Sequence, residues 1–545
     1  MSEDQTSPAN FEMDAINRVR AYHHRSKHGF GRYAASPGFM DWATQPDPFR
    51  RFKGATQYPL PLSADQLPVL YADLFTPGSI KPASLNQTNV AVLLELSFGL
   101  SAWKQYGGDR WALRCNPSSG NLHPTEAYVV VSGIDGLEDG VFHFVSHDHA
   151  LEQRCSFQPP LQGLLVGLGS IHWREAWKYG ERAFRYCQHD IGHALGALRY
   201  AAAALGWRVR LLDAWGDDDI AALLGLDRQA DFTDAETEAP DLLCLIETGS
   251  ANDSEPDIDA LVAAAQQGVW TGIANTLSQT HNFEWSAIDE VCSAACKPRT
   301  AQTPVENDGK TTQVLQASLS ELTAAELIKQ RRSAQAFDGL TSIPAKALFR
   351  ILDATLPREN VPPFDVWPWA AKVHLVLFVH RVVGLPPGVY VFCRSEEAEP
   401  RLREAMKEGF KWELSEVCPS HLRLFRLIRA DARQAAITLS CQQSIAGDGA
   451  FSLGMLGEFE AGLSEGRWVY RRMFWECGLI GQALYLEAEA AGVRGTGIGC
   501  FFDDPVHELL GLENTTWQSL YHFTIGGAVV DDRLQSLPGY WHLER

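Results

Sequence analysis

Apolar positions fall into two patterns along the chain. Short runs of β-branched and aromatic residues, Ala127–Val131, Val141–Phe144, Lys372–Val379, Val389–Phe392 and Ser519–Ile525, have strand length and predict buried strands. Two longer stretches, Ala194–Leu205 and Ile480–Ala491, are rich in Ala and Leu and predict buried helices. In the second, Glu487 and Glu489 suggest one wetter face. Each is followed by a glycine, Gly206 and Gly492, as suits a helix C-terminus. Strands and helices mix without a regular βαβ alternation, which predicts an α+β sandwich. No G-x-G-x-x-G turn leads from a strand into a helix, so a Rossmann site is not indicated. No apolar run is long enough to span a bilayer; Val373–Val379 is strand-sized.

The pattern nearly repeats itself. Gly192 matches Gly478, Leu198 matches Leu484, Gly206 matches Gly492 and Arg208 matches Arg494, all at one constant spacing. Leu223-Leu224-Gly225-Leu226 falls on Leu509-Leu510-Gly511-Leu512 at that same spacing. Upstream, Gly140–Phe144 resembles Gly388–Phe392, and Arg25-Ser26 resembles Arg332-Ser333, at different spacings. Two related domains with unequal insertions follow: residues 1–290 and 319–545, joined by a linker at 291–318. The linker contains Lys297–Pro304 and Val305–Lys310, which are polar and aperiodic. The first copy carries about twice the length of the second between its Arg-Ser pair and its Gly-Val-aromatic strand. The extra length holds Arg114–Pro124, where the second copy has only Val361–Phe364 and Trp367-Pro368-Trp369.

Composition narrows the function classes. A net charge of −20 argues against nucleic acid and anionic membrane as partners. The acidic start Met1-Ser2-Glu3-Asp4 lacks a signal-peptide pattern, and the expectation is a cytoplasmic protein. Eleven scattered cysteines contain no CxxC pair, and Cys292 and Cys296 lack nearby histidine partners. Reduced thiols and no metal site are expected.

Three segments carry candidate chemistry. Asn116-Pro117-Ser118-Ser119-Gly120-Asn121-Leu122-His123-Pro124 is a loop by composition, held at a sheet edge by the strand-like Thr125–Val131. Its hydroxyls, carboxamide and close-approach glycine suit the rim of a flat polar cofactor; they equally make an ordinary turn. Arg331-Arg332-Ser333 is a phosphate clamp or a solvated basic patch. Arg494-Gly495-Thr496-Gly497-Ile498-Gly499 adds an arginine and backbone amides of the kind that bind anions, where the first copy has Arg208-Val209-Arg210-Leu211. Lys178-Tyr179 is a proton-transfer pair if desolvated, or part of an exposed helical face on which Glu181 pairs with Arg185. His193, on the Ala-rich helix, reads as a satisfied core histidine.

Together, Pro117–Pro124, the Arg-Arg-Ser corner and Thr496–Gly499 ahead of Glu508–Leu512 resemble the FMN-dependent nitroreductase superfamily. Lys178–Tyr186 with Gly192-His193 resembles, more narrowly, its SagB-type branch of thiazoline and oxazoline dehydrogenases. The resemblance implies two tandem nitroreductase-like α/β sandwich domains that pair within one chain, as family members pair in homodimers with FMN at the interface. A further oligomer is then not required. It implies one hybrid flavin site. Arg331, Arg332, Ser333, Glu476, Gly478, Arg494, Thr496 and Gly497 come from the second copy, and Pro117, Ser118, Ser119, Gly120 and Asn121 from the first. The mirror site, around Arg25, Ser26 and Lys27, lacks a loop in trans and is expected to be empty. The chain departs from the branch at Asp190, where Glu is usual, and at Gly196-Ala197, where Gln-Asn is usual.

The activity so implied is two-electron oxidation of an azoline-type ring in a peptide, with Lys178 or Tyr179 as base and molecular oxygen as final acceptor. Two alternatives stand beside it. One is an NAD(P)H-dependent reductase of nitroaromatics or quinones; the other is a flavin- or peptide-binding partner protein without turnover.

Overall fold

The computed structural model describes residues 8–249, 254–304, 310–318 and 320–543. The acidic start Met1–Asp4 and linker residues 305–309 lie outside the described residues.

The first half opens with α1 (Pro8–Arg25) and α2 (Gln87–Ser97), followed by a hairpin of β1 (Leu100–Tyr106) and β2 (Asp109–Arg114). Four strands follow, β3 (Thr125–Ser132), β4 (Gly140–Val145), β5 (Ala150–Ser156) and β6 (Gly163–Ser170). Then come α3 (His172–Tyr179), the long α4 (Ala183–Ala204), β7 (Arg208–Leu211), α5 (Asp217–Leu224) and β8 (Ala239–Glu247). The second half contains α6 (Ala324–Gln330), β9 (Val373–Val379), β10 (Gly388–Cys393), β11 (Arg423–Arg429), β12 (Phe451–Glu458) and the long α7 (Val469–Ala490). It closes with β13 (Arg494–Ile498), α8 (Asp503–Leu510), β14 (Trp517–Gly526) and β15 (Gln535–Pro538).

The repeat read from sequence is a repeat of topology. One sheet runs β5-β4-β3-β6-β8-β7, the other β11-β10-β9-β12-β14-β13, each with short extra strands at the β5 or β11 edge. All pairings along both paths are antiparallel. Strands β3, β4, β9, β10, β12 and β14 are buried at every position. Both faces are covered, so these strands appear in the sequence as continuous apolar runs rather than alternating ones.

Two long helices, α4 and α7, cross at the centre. A Cβ added to Gly192 would sit 2.1 Å from the Trp475 carbonyl oxygen, and one added to Gly478 would sit 2.1 Å from that of His189. Each glycine therefore meets the repeat-equivalent of what the other meets, as around a twofold axis. Gly196 extends the pattern, since its Cβ would lie 2.8 Å from Cβ of Gln482, its own counterpart. Every residue of α4 is buried. In α7, Glu487 is 2% exposed and is bonded by Tyr71 and Arg350, each at 2.9 Å, a buried polar contact, whereas Glu489 is half-buried, so the wetter face expected there is confined to the helix end.

The halves also exchange segments. From the first half, α1 lies on the second: Arg20 pairs with Glu460 at 2.6 Å, and His23 is within 3.1 Å of Gln518. From the second half, α6 lies on the first: the Tyr71 amide donates to the Leu322 carbonyl at 3.0 Å, and Lys329 pairs with Asp65 at 2.8 Å. Thr323 and Glu326 cap α6 reciprocally, each side chain accepting the other's amide. At the other end β15 pairs with β1, making the three-stranded sheet β15-β1-β2. Lys297–Thr303, in the expected linker, is strapped to the first half by Asp213, Asp217 and Asp219.

Overpacking the crossing would separate two backbones. Gly192→Val is expected to lower the melting temperature, with a cost of about 1–3 kcal/mol or more. Gly31→Ala, where nothing lies within 4 Å of the added Cβ, is expected to stay within about 0.5 kcal/mol of the parent. Thermal unfolding of the two variants side by side checks this; equal melting temperatures would refute the crossing.

Candidate functional site

A cleft of about 500 Å³ opens where the halves meet. It falls within the span of small-molecule sites, roughly 300–1,000 Å³. The first half contributes the β2–β3 loop, Lys104 of β1, and Tyr186, Asp190 and His193 of α4. The second contributes the Arg331-Arg332-Ser333 corner, Tyr485 of α7, Arg494–Ile498 of β13, Tyr521 of β14 and the segment leading to β15. Of the residues predicted from sequence, Pro117, Ser118, Ser119, Gly120, Asn121, Tyr179, Arg331, Arg332, Ser333, Arg494, Thr496 and Gly497 line this one cleft.

The loop is held from beneath. Both the Ser119 amide and its hydroxyl donate to Asp190 at 3.1 Å, the Ser118 hydroxyl accepts from the His123 amide at 2.8 Å, and Asn121 donates to the Ala112 carbonyl at 2.9 Å. Gly120 takes φ 59°, and a Cβ there would lie 2.5 Å from the Tyr179 hydroxyl and 3.1 Å from Lys178 Nζ. The glycine thus lets the α3 end, with both predicted catalytic side chains, press against the cleft loop. The exposed-face reading of this segment does not hold: Glu181 bonds Arg25 rather than Arg185, and Arg185 pairs with Asp503 at 2.8 Å.

The arginine corner is not a solvated patch, since Arg331 is buried and Arg332 half-buried, while Ser333 is exposed. Arg331 is 4% exposed and donates to the carbonyls of Arg114 and Cys115 across the junction, each at 3.2 Å, while its Nη1 has no partner. Arg332 donates to Ser101 Oγ at 3.1 Å. Ser333 and Tyr485 share a hydroxyl contact of 2.8 Å, and the Gly497 amide donates to the same phenol at 2.9 Å. A Cβ at Gly497 would lie 1.9 Å from the Tyr521 hydroxyl, so β13 approaches the aromatic wall only as glycine. Burial first, then Arg331, lowers the Arg332 pKa to about 10, so the corner carries charge at neutral pH. With Lys104, Arg114 and Arg494, five cations meet in one cleft of a chain whose net charge is −20.

At the other end of the cleft burial shifts the titrating groups, although Lys178 and Glu175 do not themselves line the space. Burial lowers the Lys178 pKa, with Glu175 opposing, and raises that of Tyr179 well above the usual phenol range. Asp190 is pushed up to about 7 by burial, against its seryl hydrogen bonds. Glu175 is fully buried with neither carboxylate oxygen partnered, and burial together with Asp190 raises its pKa strongly, so it is held protonated. His193 is lowered to about 3 by burial and Arg331 and stays neutral, contacting the Tyr521 hydroxyl at 3.2 Å.

Two predicted cofactor residues lie elsewhere. Gly478 sits at the helix crossing, facing His189 and Gly192. The Glu476 carboxylate is taken by the Lys372 amide at 3.1 Å and by the Arg394 guanidinium. The repeat explains the displacement. Glu476 is the counterpart of Asp190, and it holds the β9 entrance as Asp190 holds the β3 entrance, on the other side of the axis.

The mirror position is not at Arg25, Ser26 and Lys27. Arg25 is bonded to Glu181, Lys27 to Asp504 at 2.7 Å, and the Ser26 carbonyl to Arg182 at 2.6 Å. Following the repeat instead leads to a cavity of about 20 Å³ lined by Leu211, Asp213, Trp215, Trp369 and Arg472. Leu211 stands for Gly497, Asp213 for Gly499 and Arg472 for Tyr186. The Arg472 guanidinium lies 4.2 Å from the Trp369 ring centre. Side chains fill the second cleft.

Sequence reasoning missed Lys104, Trp111, Tyr485, Tyr521 and Gln443, and passed over Asp190 and His193 as site residues. For Asp190 a signal existed, because it aligns with a glutamate in the repeat. Tyr485 and Tyr521 lie inside strongly apolar elements and read as core.

Comparison with known proteins agrees with this architecture. The sequence model of the Nitroreductase family matches residues 328–527. A provisionally named nitroreductase of Methanocaldococcus jannaschii is 28% identical over 147 residues, spanning 24% of this chain and 73% of its own length. The crystal structure of a provisionally named nitroreductase from Anabaena variabilis superposes with a TM-score of 0.67 at 20% identity, covering 94% of this chain and 99% of its own. The likeness therefore extends over both halves at the level of fold. Residues 328–527 carry the match to the Nitroreductase family model, and the first half, joined to them in one chain, has the same sheet order.

Proposed function

We propose that the chain is an FMN-dependent two-electron oxidoreductase with one flavin site, in the shared cleft. The observation that carries this reading is the convergence of five cations and a buried, unpartnered Arg331 Nη1 in an otherwise acidic protein. A phosphate-bearing ligand supplies what that corner lacks. The donor set fits FMN: arginines and the Thr496–Gly497 backbone for the phosphate, and the Ser119–Asn121 loop with the Tyr186 and Tyr521 wall for a flat polar ring system. Bound FMN would supply a two-electron acceptor for hydride.

The chain's own residues then favour oxidation at a carbon that also loses a proton. Lys178, partly desolvated beside Gly120, accepts that proton as the neutral amine. Tyr179, whose phenol burial keeps protonated, donates a hydrogen bond rather than acting as base. Loss of one proton and one hydride converts an azoline ring to an azole, and molecular oxygen serves as terminal acceptor. The substrate proposed is an azoline-bearing peptide. A reductase of nitroaromatics or quinones would need the same cofactor corner and no protein base.

Saturation with FMN, followed by release and quantitation, is expected to give one flavin per chain. Two would place a ligand where Trp369 and Arg472 now pack. Arg331→Gln is expected to weaken FMN retention by one to two orders of magnitude, roughly the loss of a charged hydrogen-bonding partner. None bound to the parent chain would remove the oxidoreductase reading.

Lys178→Gln is expected to retain FMN and lose about 10²–10⁴-fold in turnover of a thiazoline-containing peptide. Only the neutral amine takes a proton, so turnover rises with pH through the Lys178 pKa, which lies below the ordinary 10.5, and that limb vanishes in the variant. Unchanged turnover, with anaerobic bleaching of the flavin by NAD(P)H, would favour the reductase.

A further inference from the structure

Eleven cysteines are present as free thiols. Burial raises the pKa of most of them, including Cys292 to about 12 and Cys296 to about 11. Cys500 is different. It lines the cleft, immediately after Gly499, and is partly exposed. Cys441, also partly exposed, lies near it, and each thiol shifts the pKa of the other. The segments that carry them are tied together on both sides of the pair. The Phe502 amide donates to the Leu439 carbonyl at 2.8 Å, and Gln443 donates to the Cys500 carbonyl at 3.1 Å.

The surroundings favour a thiolate at Cys500 and not at Cys441. His28 Nδ1 accepts from the Ala34 amide at 2.9 Å, so a neutral His28 carries its proton on Nε2, and the imidazole favours the thiolate form of nearby Cys500. The Arg182 guanidinium is anchored to the neighbouring Gly499 carbonyl at 3.1 Å and adds positive charge. The Cys441 thiol, His28 and Arg182 lower the pKa of Cys500, and the same sharing raises that of Cys441. Cys441 also holds φ 53°, an uncommon backbone state for a residue with a Cβ and one that tends to accompany functional sites.

We propose that Cys500 and Cys441 form a hydroperoxide-reactive dithiol at the mouth of the cleft, Cys500 attacking and Cys441 resolving. The Cys500 thiolate attacks one peroxide oxygen; the S–O bond forms and the O–O bond breaks. The other oxygen leaves as water, or as an alcohol from an organic hydroperoxide, after taking a proton. The sulfur is oxidised by two electrons and the peroxide reduced. Cys441 then attacks the sulfenic sulfur, the S–S bond forms, and the S–O oxygen leaves as water with the Cys441 proton. Two thiols and one hydrogen peroxide thus give one disulfide and two waters. The disulfide would tie residues 439–443 to β13's exit at the cleft wall, linking oxidant exposure to ligand access. This proposal does not rest on the flavin reading, although reoxidation of a flavin by oxygen would generate peroxide beside the pair.

The test uses the full chain, pre-reduced, freed of reductant and treated with one equivalent of hydrogen peroxide. Peptide mapping without reduction is expected to show a Cys441–Cys500 cystine, with two thiols lost per peroxide. Cys441→Ser is expected to stop at a Cys500 sulfenic acid trapped by dimedone, and Cys500→Ser to slow thiol loss at least about tenfold. No cystine in the parent chain, or one formed first between other cysteines such as Cys292 and Cys296, would overturn the proposal. The parent-chain map decides this even if a variant folds poorly, and it reads the thiols alone, so neither result bears on the flavin reading.

Discussion

Two helices that touch backbone to backbone set the geometry of everything else. Glycines at 192 and 478 bring α4 and α7 so close that any Cβ would strike a carbonyl of the partner helix. Side chains normally space packed helices by 8–10 Å; removing them draws the two sheets towards one axis. That closeness brings Asp190 and His193 of one helix within the same cleft as Tyr485 of the other. A cleft built from both halves follows from the crossing, not from either half alone.

The exchange of terminal segments locks that arrangement. With α1 seated on the second half, α6 on the first, and β15 completing a sheet with β1, each half gives terminal segments to the other. In two separate chains this exchange would cost association entropy; within one chain the partner is always present, so the same contacts act at high effective concentration. The constraint that the halves must pair identically is also relaxed. In a homodimer both clefts share one sequence, and a residue that fills one must fill the other. Here each cleft has its own residues. Gly497 and Gly499 on the open side face Leu211 and Asp213 on the closed side, and Tyr186 faces Arg472.

Much of this was legible in the sequence, and the limits are physical. The constant spacing between Gly192–Arg208 and Gly478–Arg494 revealed the duplicated helix and strand, because close-packed glycines and a helix-terminating glycine tolerate little substitution by other residues. The loop Pro117–Asn121 and the corner Arg331–Ser333 stood out through turn chemistry and clustered charge. What failed was assignment across the axis. Glu476 and Gly478 lie in the right motif but on the wrong side of a twofold, and one-dimensional spacing does not distinguish the sides. The Arg25-Ser26 match was a coincidence of two residues: its guanidinium and carbonyl serve Glu181 and Arg182 instead. Tyr485 and Tyr521 were invisible for a different reason. A tyrosine in an apolar helix or strand looks like core until its hydroxyl is seen to end in a cleft, next to Ser333 in one case and His193 in the other.

The asymmetry between clefts divides two demands that a single site meets poorly. The closed side is dense: Trp215, Trp369 and Arg472 are packed or stacked, Asp213 is bonded by the strap at Thr303, and about 20 Å³ of space remains. Large aromatic burial of that kind stabilises a fold. The open side holds the opposite features, an arginine nitrogen without a partner at Arg331, a protonated carboxyl at Glu175 and a partly desolvated amine at Lys178. Each is unfavourable to burial and costs stability in the absence of a ligand. Because both clefts hang on one helix crossing, close packing on one side braces the geometry on the other. The duplicated fold can therefore carry a poorly satisfied, reactive cleft that neither half would hold in place by itself.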